Sequence, residues 1–548
     1  MFVTIRKERN VLPQVLPRDL AADYQQEYAS RIVAVKLDNT LHDLQTPVGK
    51  SRSIEFVELE SEEGWIIYRR SVEFLLVMAV HELYPEAEVA AMFRANNGLY
   101  CEISVPGKKL TEAMAQAIEA EMRRIVEEDR PIVKEVLERE AAVKLFKETK
   151  QVEKANLIAS LKLPKVSIYR CGDYYDYLYG AMIGSTGHLG KFALDIFESG
   201  VLLRTPDLKS KGKVPPSVPQ PKLSEVLTEA KNWANILRCS YVTDLNRAIR
   251  SGRISEVIRV SEALQEKHIA EIADYIAKHR QKLRLILIAG PSSSGKTSFA
   301  QRLRVQMQVM GLRPFSISLD NYFVNREFTP RDEKGEYDYE SIDALDIATF
   351  TDNIQRLLKG EEVEIPKFSF ETGQRYYDGE KLKIARNNVI IVEGIHGLNP
   401  QLTRLLPPET LFKIFVSALT SIAIDNHNLI NPTDNRLIRR MVRDYKYRNY
   451  SALDTLKRWE SVLLGEQKHI VPYQEEADAI FNSALIYELG ALKTQAEPLL
   501  REVTQQHPEH SKALRLLKFF SYIRAVPTRE IPPTSIIREF LGGSSFKY

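Results

Sequence analysis

Cysteine is scarce: three in 548 residues, at Cys101, Cys171 and Cys239. Their wide separation excludes a disulfide framework and a zinc-ribbon spacing, and it fits a reducing compartment. Long apolar runs are missing as well. The longest, such as Phe74-Leu-Leu-Val-Met-Ala-Val80, fall far short of the roughly 20 residues that a membrane helix needs. Met1-Phe-Val-Thr-Ile-Arg lacks a signal-peptide pattern, so no membrane partner is expected and a cytoplasmic protein is. Charge of one sign is not in excess either. Lys+Arg 76 against Asp+Glu 73 leaves a net charge of +3, which is no global signature of nucleic-acid binding. There is no internal repeat and no long low-complexity tract. At this length one core cannot serve the whole chain, and several domains are expected.

What the chain does contain is an apolar run, Leu283-Arg-Leu-Ile-Leu-Ile-Ala289, followed by Gly290-Pro291-Ser292-Ser293-Ser294-Gly295-Lys296-Thr297-Ser298. A helical pattern then runs through Phe299, Leu303 and Met307. This is the order strand, phosphate loop, helix. Gly290 and Gly295 let successive backbone N–H groups converge on an anion, and the helix beginning near Lys296 points its positive end at the same place. Lys296 is expected to reach the β- and γ-phosphates of ATP, and the Thr297 hydroxyl to ligate Mg²⁺.

Further on, Arg313-Pro-Phe-Ser-Ile-Ser-Leu319 reads as a second strand that ends in Asp320-Asn-Tyr322-Phe323. A carboxylate at a strand end beside a phosphate loop is positioned to take a proton from an attacking hydroxyl. A third strand, Asn388-Val-Ile-Ile-Val392, ends in Glu393, the arrangement of a Walker-B acid that holds Mg²⁺ directly or through water. Arg436, Arg439, Arg440 and Arg443 recur at helical spacing and share one side of a helix. Such cations neutralise a transferring phosphoryl group. A nucleic-acid patch is the competing reading, disfavoured by the interposed Asp444 and the lack of an aromatic stacking platform.

Taken in order, these four motifs resemble the uridine kinase and phosphoribulokinase family of P-loop kinases, over roughly residues 281–490. The resemblance implies an α/β fold with a doubly wound parallel sheet, ATP and Mg²⁺ as cofactors, and a small nucleoside-like acceptor. It implies Asp320 as the general base, Glu393 as a magnesium partner, and Arg439 and Arg443 as lid residues clamping ATP phosphates. Arg436 and Tyr322 join the expected substrate contacts. Tyr337-Asp338 stands where the family has an aspartate that grips ribose hydroxyls. Phe368 and Arg375 stand within the segment that reads the pyrimidine, but Gly373 occupies the place of its histidine. A missing hydrogen-bonding group in a specificity pocket can change selectivity by orders of magnitude, so the natural acceptor can differ from uridine.

Ahead of these motifs, Ile32–Leu37, an Asp38-Asn39 turn, Thr40–Leu44 and Ser53–Leu59 read as three short strands. They resemble part of a TGS domain, a small β-grasp module, over residues 1–62. Residues 63–207 resemble the second additional domain of threonyl- and alanyl-tRNA synthetases. In that family an H-S/T-x-x-H helix and a later C-x-x-x-H hold an editing metal. Here the corresponding residues are Arg70-Ser71-Val-Glu-Phe74 and Cys171 with Tyr175, so one thiolate remains where three or four ligands are needed. His81 and His188 stand alone, and lone histidines are more often packed or exposed than metal-bound. Loss of hydrolytic editing is expected, with a shape retained that could still hold tRNA or another RNA. The order of modules as a whole is similar to that of long bacterial proteins classed as nucleoside kinases.

Residues 208–280 are expected to be a Pro/Lys-rich linker or projecting loop, Lys209–Lys222, and then a helical bridge. Residues 491–548 are expected to be a helical tail packed on the kinase or on a partner subunit. Assembly into a homo-oligomer stays open. Two functions remain: an ATP- and Mg²⁺-dependent kinase of a ribose-bearing acceptor or other alcohol, and an RNA- or ribosome-associated ATP-driven switch.

Overall fold

The computed structural model describes residues 11–547 apart from 332–334, 336, 386 and 387. Residues 1–10, where the expected β-grasp module begins, lie outside the described residues. The rest of that module has Ile32–Leu37 as its middle strand, flanked antiparallel by Thr40–Asp43 and Ile54–Glu58. Asp38 and Asn39 both adopt left-handed backbone, φ 48° and 58°, the conformation that a two-residue hairpin loop requires.

Next comes the long buried helix Glu62–Leu83, capped by the Ser61 side chain, which accepts from Gly64 N–H. It is followed by a sheet of Glu88–Ala95, Gly98–Ser104, Gly200–Arg204 and Ala193–Phe197 in that spatial order, and a second sheet of Val133–Glu138, Lys165–Cys171 and Tyr174–Asp176. The Pro/Lys-rich segment forms no regular structure before Pro221, but it does not project. Arg204 donates to Pro215 O at 2.5 Å, Asn97 to Pro216 O at 3.1 Å, and Asn96 and Gln220 exchange hydrogen bonds at 2.7 Å. Three helices then bridge the halves: Pro221–Ile236, Val242–Arg250 and Ile254–Lys278.

The C-terminal half is built on a parallel sheet. Its spatial order is Arg313–Ser318, Asn388–Glu393, Leu285–Ala289, Leu411–Ser417, Ala479–Asn482. Leu285–Ala289 is buried along its whole length, as a central strand covered on both faces must be. Its side chains alternate. Ile286 and Ile288 pack with Phe299, Leu303 and Met307 on one face, and Leu285 and Leu287 with Ile317, Phe350 and Ile354 on the other. The first strand starts in mid-sheet and the second lies two places to one side, so the direction of winding reverses beside it. Open α/β sheets bind ligands at that point, outside the carboxyl ends of the strands. No helix among the described residues is long and apolar enough to cross a membrane.

A buried polar network joins the halves. Lys154 Nζ lies 2.8 Å from Asp176 Oδ1, and His427 Nδ1 lies 2.8 Å from Asp176 Oδ2. The loop that carries His427 also donates Asn428 Nδ2 to Tyr177 O at 2.9 Å. It leads directly into the arginine-rich helix Pro432–Arg448. The tail folds back on its own chain: Leu516, Phe519, Phe520, Ile537 and Phe540 share one core with Ile438, Met441 and Trp459.

Candidate active site

The phosphate loop leaves the sheet between Ala289 and Lys296, where the helix Lys296–Val309 begins. Gly290 has φ 153°, and a Cβ there would collide with the Val416 carbonyl; Gly295, φ 86°, is the left-handed residue from which the helix starts. Register does the rest. Glu393 pairs with Ser318 on one side and Ile288 on the other, so its carboxylate and Asp320, two residues past Ser318, emerge beside the loop. Thr297 Oγ1 donates to Glu393 Oε2 at 3.4 Å, and Ser318 Oγ to Glu393 Oε1 at 3.3 Å. Lys296 folds over the loop and donates to Pro291 O at 3.1 Å.

Burial sets the electrostatics. It pushes Asp320 above the usual carboxylate range, opposed by Lys296, Arg448 and Arg443. Glu393 is raised to about 7, first by burial and then by the charge of Asp320, with Lys296 opposing. Burial also lowers Lys296, against Glu393, Asp320, Glu539 and Glu466. Ser293 Oγ and Ser294 Oγ are buried with no hydrogen-bond partner. Orphaned hydroxyls in a loop of N–H donors suit an anion, and buried carboxylates that resist ionisation suit a cation. The residues therefore fit ATP with magnesium, held by Gly290–Ser298 and by Thr297 with Glu393.

Residues 285–486 match the model of the phosphoribulokinase/uridine kinase family. This stretch is a P-loop kinase domain of that family. The N-terminal region is similar to threonine–tRNA ligases. Against that of Parvibaculum lavamentivorans the identity is 35% over 164 residues, covering 30% of this chain and 25% of the ligase. Against that of Syntrophotalea carbinolica it is 32% over 179 residues, covering 32% and 28%. The chain thus spans about a quarter of the length of these curated relatives. A solved structure of a possible uridine kinase from Bacillus stearothermophilus covers 38% of this chain and 97% of its own at 17% identity and a TM-score of 0.26, too slight a likeness to build on.

The arginines of the kinase domain divide by role. Arg436 donates to Ser292 O at 3.1 Å and pairs with Glu466 at 2.7 Å, and Arg440 donates to Ser292 Oγ at 2.9 Å. Arg443 lies against Asp444 at 2.7 Å. Arg439, expected as a lid clamp, is fully buried. It pairs with Glu488 and donates to Ser483 O at 2.9 Å and Ser294 O at 3.4 Å. An arginine sealed in this way braces the loop from behind and cannot swing over a nucleotide.

Tyr322 is also corrected. It is fully buried against Phe350, and its hydroxyl accepts from Asn353 Nδ2 at 3.2 Å, so it serves the core and faces no acceptor. Its neighbour Phe323, buried in the same core, joins an aromatic group with Phe368 at 5.6 Å and Phe370 at 6.2 Å. Phe370 is 60% exposed, which leaves a ring face for a ligand. Phe368 and Arg375 face each other across a hairpin, and Arg375 pairs with Asp346 at 2.7 Å. Gly373 occupies its turn with φ 71° and Arg326 wrapped against it, so backbone geometry explains that glycine. Asp338 accepts from Glu340 N–H at 3.2 Å and lies 3.9 Å from His469.

In the synthetase-like half the former ligand positions are spoken for. Arg70 donates to Ala181 O at 2.8 Å, Ser71 Oγ donates to Ile67 O and accepts from Ile183 N–H, both at 2.9 Å, and Cys171 is core. His188 meets Arg31 at 2.9 Å, and His81 lies against the Tyr174 ring. Among the described residues no group of three or more His, Cys, Asp or Glu could hold a metal ion.

Two site residues escaped the sequence reading. Glu466 accepts from Ser292 N–H at 2.8 Å, and Glu539 accepts from Ser298 Oγ at 2.7 Å. They stand 174 and 241 positions from their partners, and neither sits in a local motif that could have announced it.

Proposed function

We propose that the kinase domain transfers the γ-phosphoryl group of ATP to a hydroxyl of a small ribose-bearing acceptor, a nucleoside being the best fit. The observation that carries this reading is the convergence of Lys296, Asp320, Thr297 and Glu393 at the carboxyl ends of three adjacent parallel strands. ATP with magnesium, when bound, supplies the phosphoryl group and the neutralising metal charge. The loop amides and Lys296 would hold phosphate oxygens, and Thr297 and Glu393 would hold the metal. Asp320 accepts the proton of the acceptor hydroxyl at its carboxylate. Burial raises its basicity toward the working pH, which is what a general base needs. Arg443 offers positive charge beside it, and the face of Phe370 with Phe323 and Phe368 suits a flat base.

The test is ATP consumption across a panel of nucleosides, sugars and pantothenate-like alcohols, with Lys296→Ala as control. Stimulation by one acceptor class, lost with Lys296→Ala together with ATP binding, is the expected result. Silence with every acceptor, joined to salt-sensitive binding of bulk tRNA, would replace this reading with an ATP-driven RNA switch.

A further inference from the structure

The N–H groups of a helix's first turn have no partner within the helix, and in a phosphate loop they are the donors offered to the nucleotide. One of them is already taken. Glu539, from the tail, accepts from Ser298 N–H at 3.3 Å and from Ser298 Oγ at 2.7 Å. On either side of it the tail touches the loop at Gly295 and the arginine behind it. Ile536 sits over Gly295 so closely that a Cβ there would lie 2.5 Å from its Cγ2. The Phe540 ring lies 5.1 Å from the guanidinium carbon of Arg439, the residue that braces the loop from behind. Within five residues, an anion thus takes one donor of the loop, an apolar branch lies against its Gly295, and an aromatic ring backs its brace. The segment is moored around this contact: Arg538 donates to Thr528 O at 2.8 Å and Ile531 O at 2.6 Å, and Lys446 to Leu541 O at 2.8 Å.

We propose that residues 535–543 are an internal plug whose Glu539 carboxylate competes with a nucleotide phosphate for Ser298, so that the tail must lift off the loop for nucleotide to bind. This rests on the reading of Gly290–Ser298 as a nucleotide-phosphate loop. The coupling is reciprocal: whatever holds the tail down weakens nucleotide binding, and nucleotide releases the tail.

The test reads binding of Mg·ATP and Mg·ADP by calorimetry on the full chain with no acceptor present, so an empty acceptor screen does not touch it. Glu539→Ala should bind roughly tenfold or more tighter than the unmodified chain, because a pocket open in a tenth of molecules lowers apparent affinity by that fraction. Adding Lys296→Ala should abolish the gain, which locates it at the loop. Glu539→Gln, which keeps the packing, should show part of it. Equal or weaker binding in a folded Glu539→Ala, including none in either chain, overturns the plug. Hydrogen exchange on the unmodified chain supplies a reading free of mutation. At saturating Mg·ADP the amides of residues 536–541 should lose protection, and unchanged or increased protection with nucleotide bound overturns the proposal.

Discussion

The two halves of this chain differ at the positions where the families they resemble do their chemistry. In the synthetase-like half, the residues that stand where the resembled family ligates a metal have settled with their neighbours. Arg70 and Ser71 satisfy backbone groups, and burial pushes the Cys171 thiol up to about 11. Even its deeply buried Lys154 is paired, to Asp176. In the kinase domain Asp320, Glu340 and Glu393 are all pushed upward and Lys296 downward, each by burial first. Groups held against their ordinary ionisation cost stability and persist where a ligand needs them. At these positions the synthetase-like half satisfies its own architecture, whereas the kinase domain gathers buried charge beside its phosphate loop.

The largest effect that can break this contrast is at Asp320. Asp320→Asn keeps size and loses basicity, so kcat should fall about 10²–10⁴-fold while ATP affinity stays within a few-fold. Near-normal kcat would move the base elsewhere, with Asp338 the next candidate.

A smaller effect tests whether the kinase pocket really carries an ionisation cost. Glu340 is raised from 4.5 to about 7 by burial, with Glu466 adding and Arg440 opposing. Between those values the folded chain binds a proton that the unfolded chain releases, so this group lowers stability as pH rises through the window, and the full cost stands above it. Glu340→Gln removes the cost. Its melting temperature should rise relative to the unmodified chain as pH climbs from 4.5 to about 7 and hold that lead above. A lead that does not vary with pH would show a solvated carboxylate there.

The smallest effect belongs to the other half. Cys171→Ala should leave phosphoryl transfer unchanged and cost about 1 kcal/mol of stability, as loss of a buried sulfur does. Metal analysis of the purified chain should find no stoichiometric zinc. One tightly held zinc per chain would erase the contrast between the halves.

How far the site could be read in advance follows from distance along the chain. Gly290–Ser298 was legible because its constraints lie within nine consecutive residues, and each strand end announced its acid by an apolar run. Helical spacing put Arg436, Arg439, Arg440 and Arg443 on one side, but it could not say which of them would be sealed in. Glu488 decided that for Arg439, 49 positions away. Nor could it tell that Tyr322 would be sealed in the core, its hydroxyl held by Asn353. Gly373 looked like a lost recognition group, and the turn it makes was visible only once the hairpin was.

The phosphate loop, the strand ends that carry Asp320 and Glu393, and the loss of ligands at Arg70 and Phe74 were written in the chain's own pattern, as matters of local periodicity and residue chemistry. The parallel sheet followed only from the family resemblance, because its strands pair across a hundred residues and more. The tertiary structure alone decided that two carboxylates from remote helices close on the loop, Glu466 at Ser292 and Glu539 at Ser298. Such contacts depend on where whole helices dock. Docking is set by the summed burial of many apolar side chains, here the core that Phe540 and Ile537 share with Ile438 and Met441, and no short stretch of sequence contains that sum.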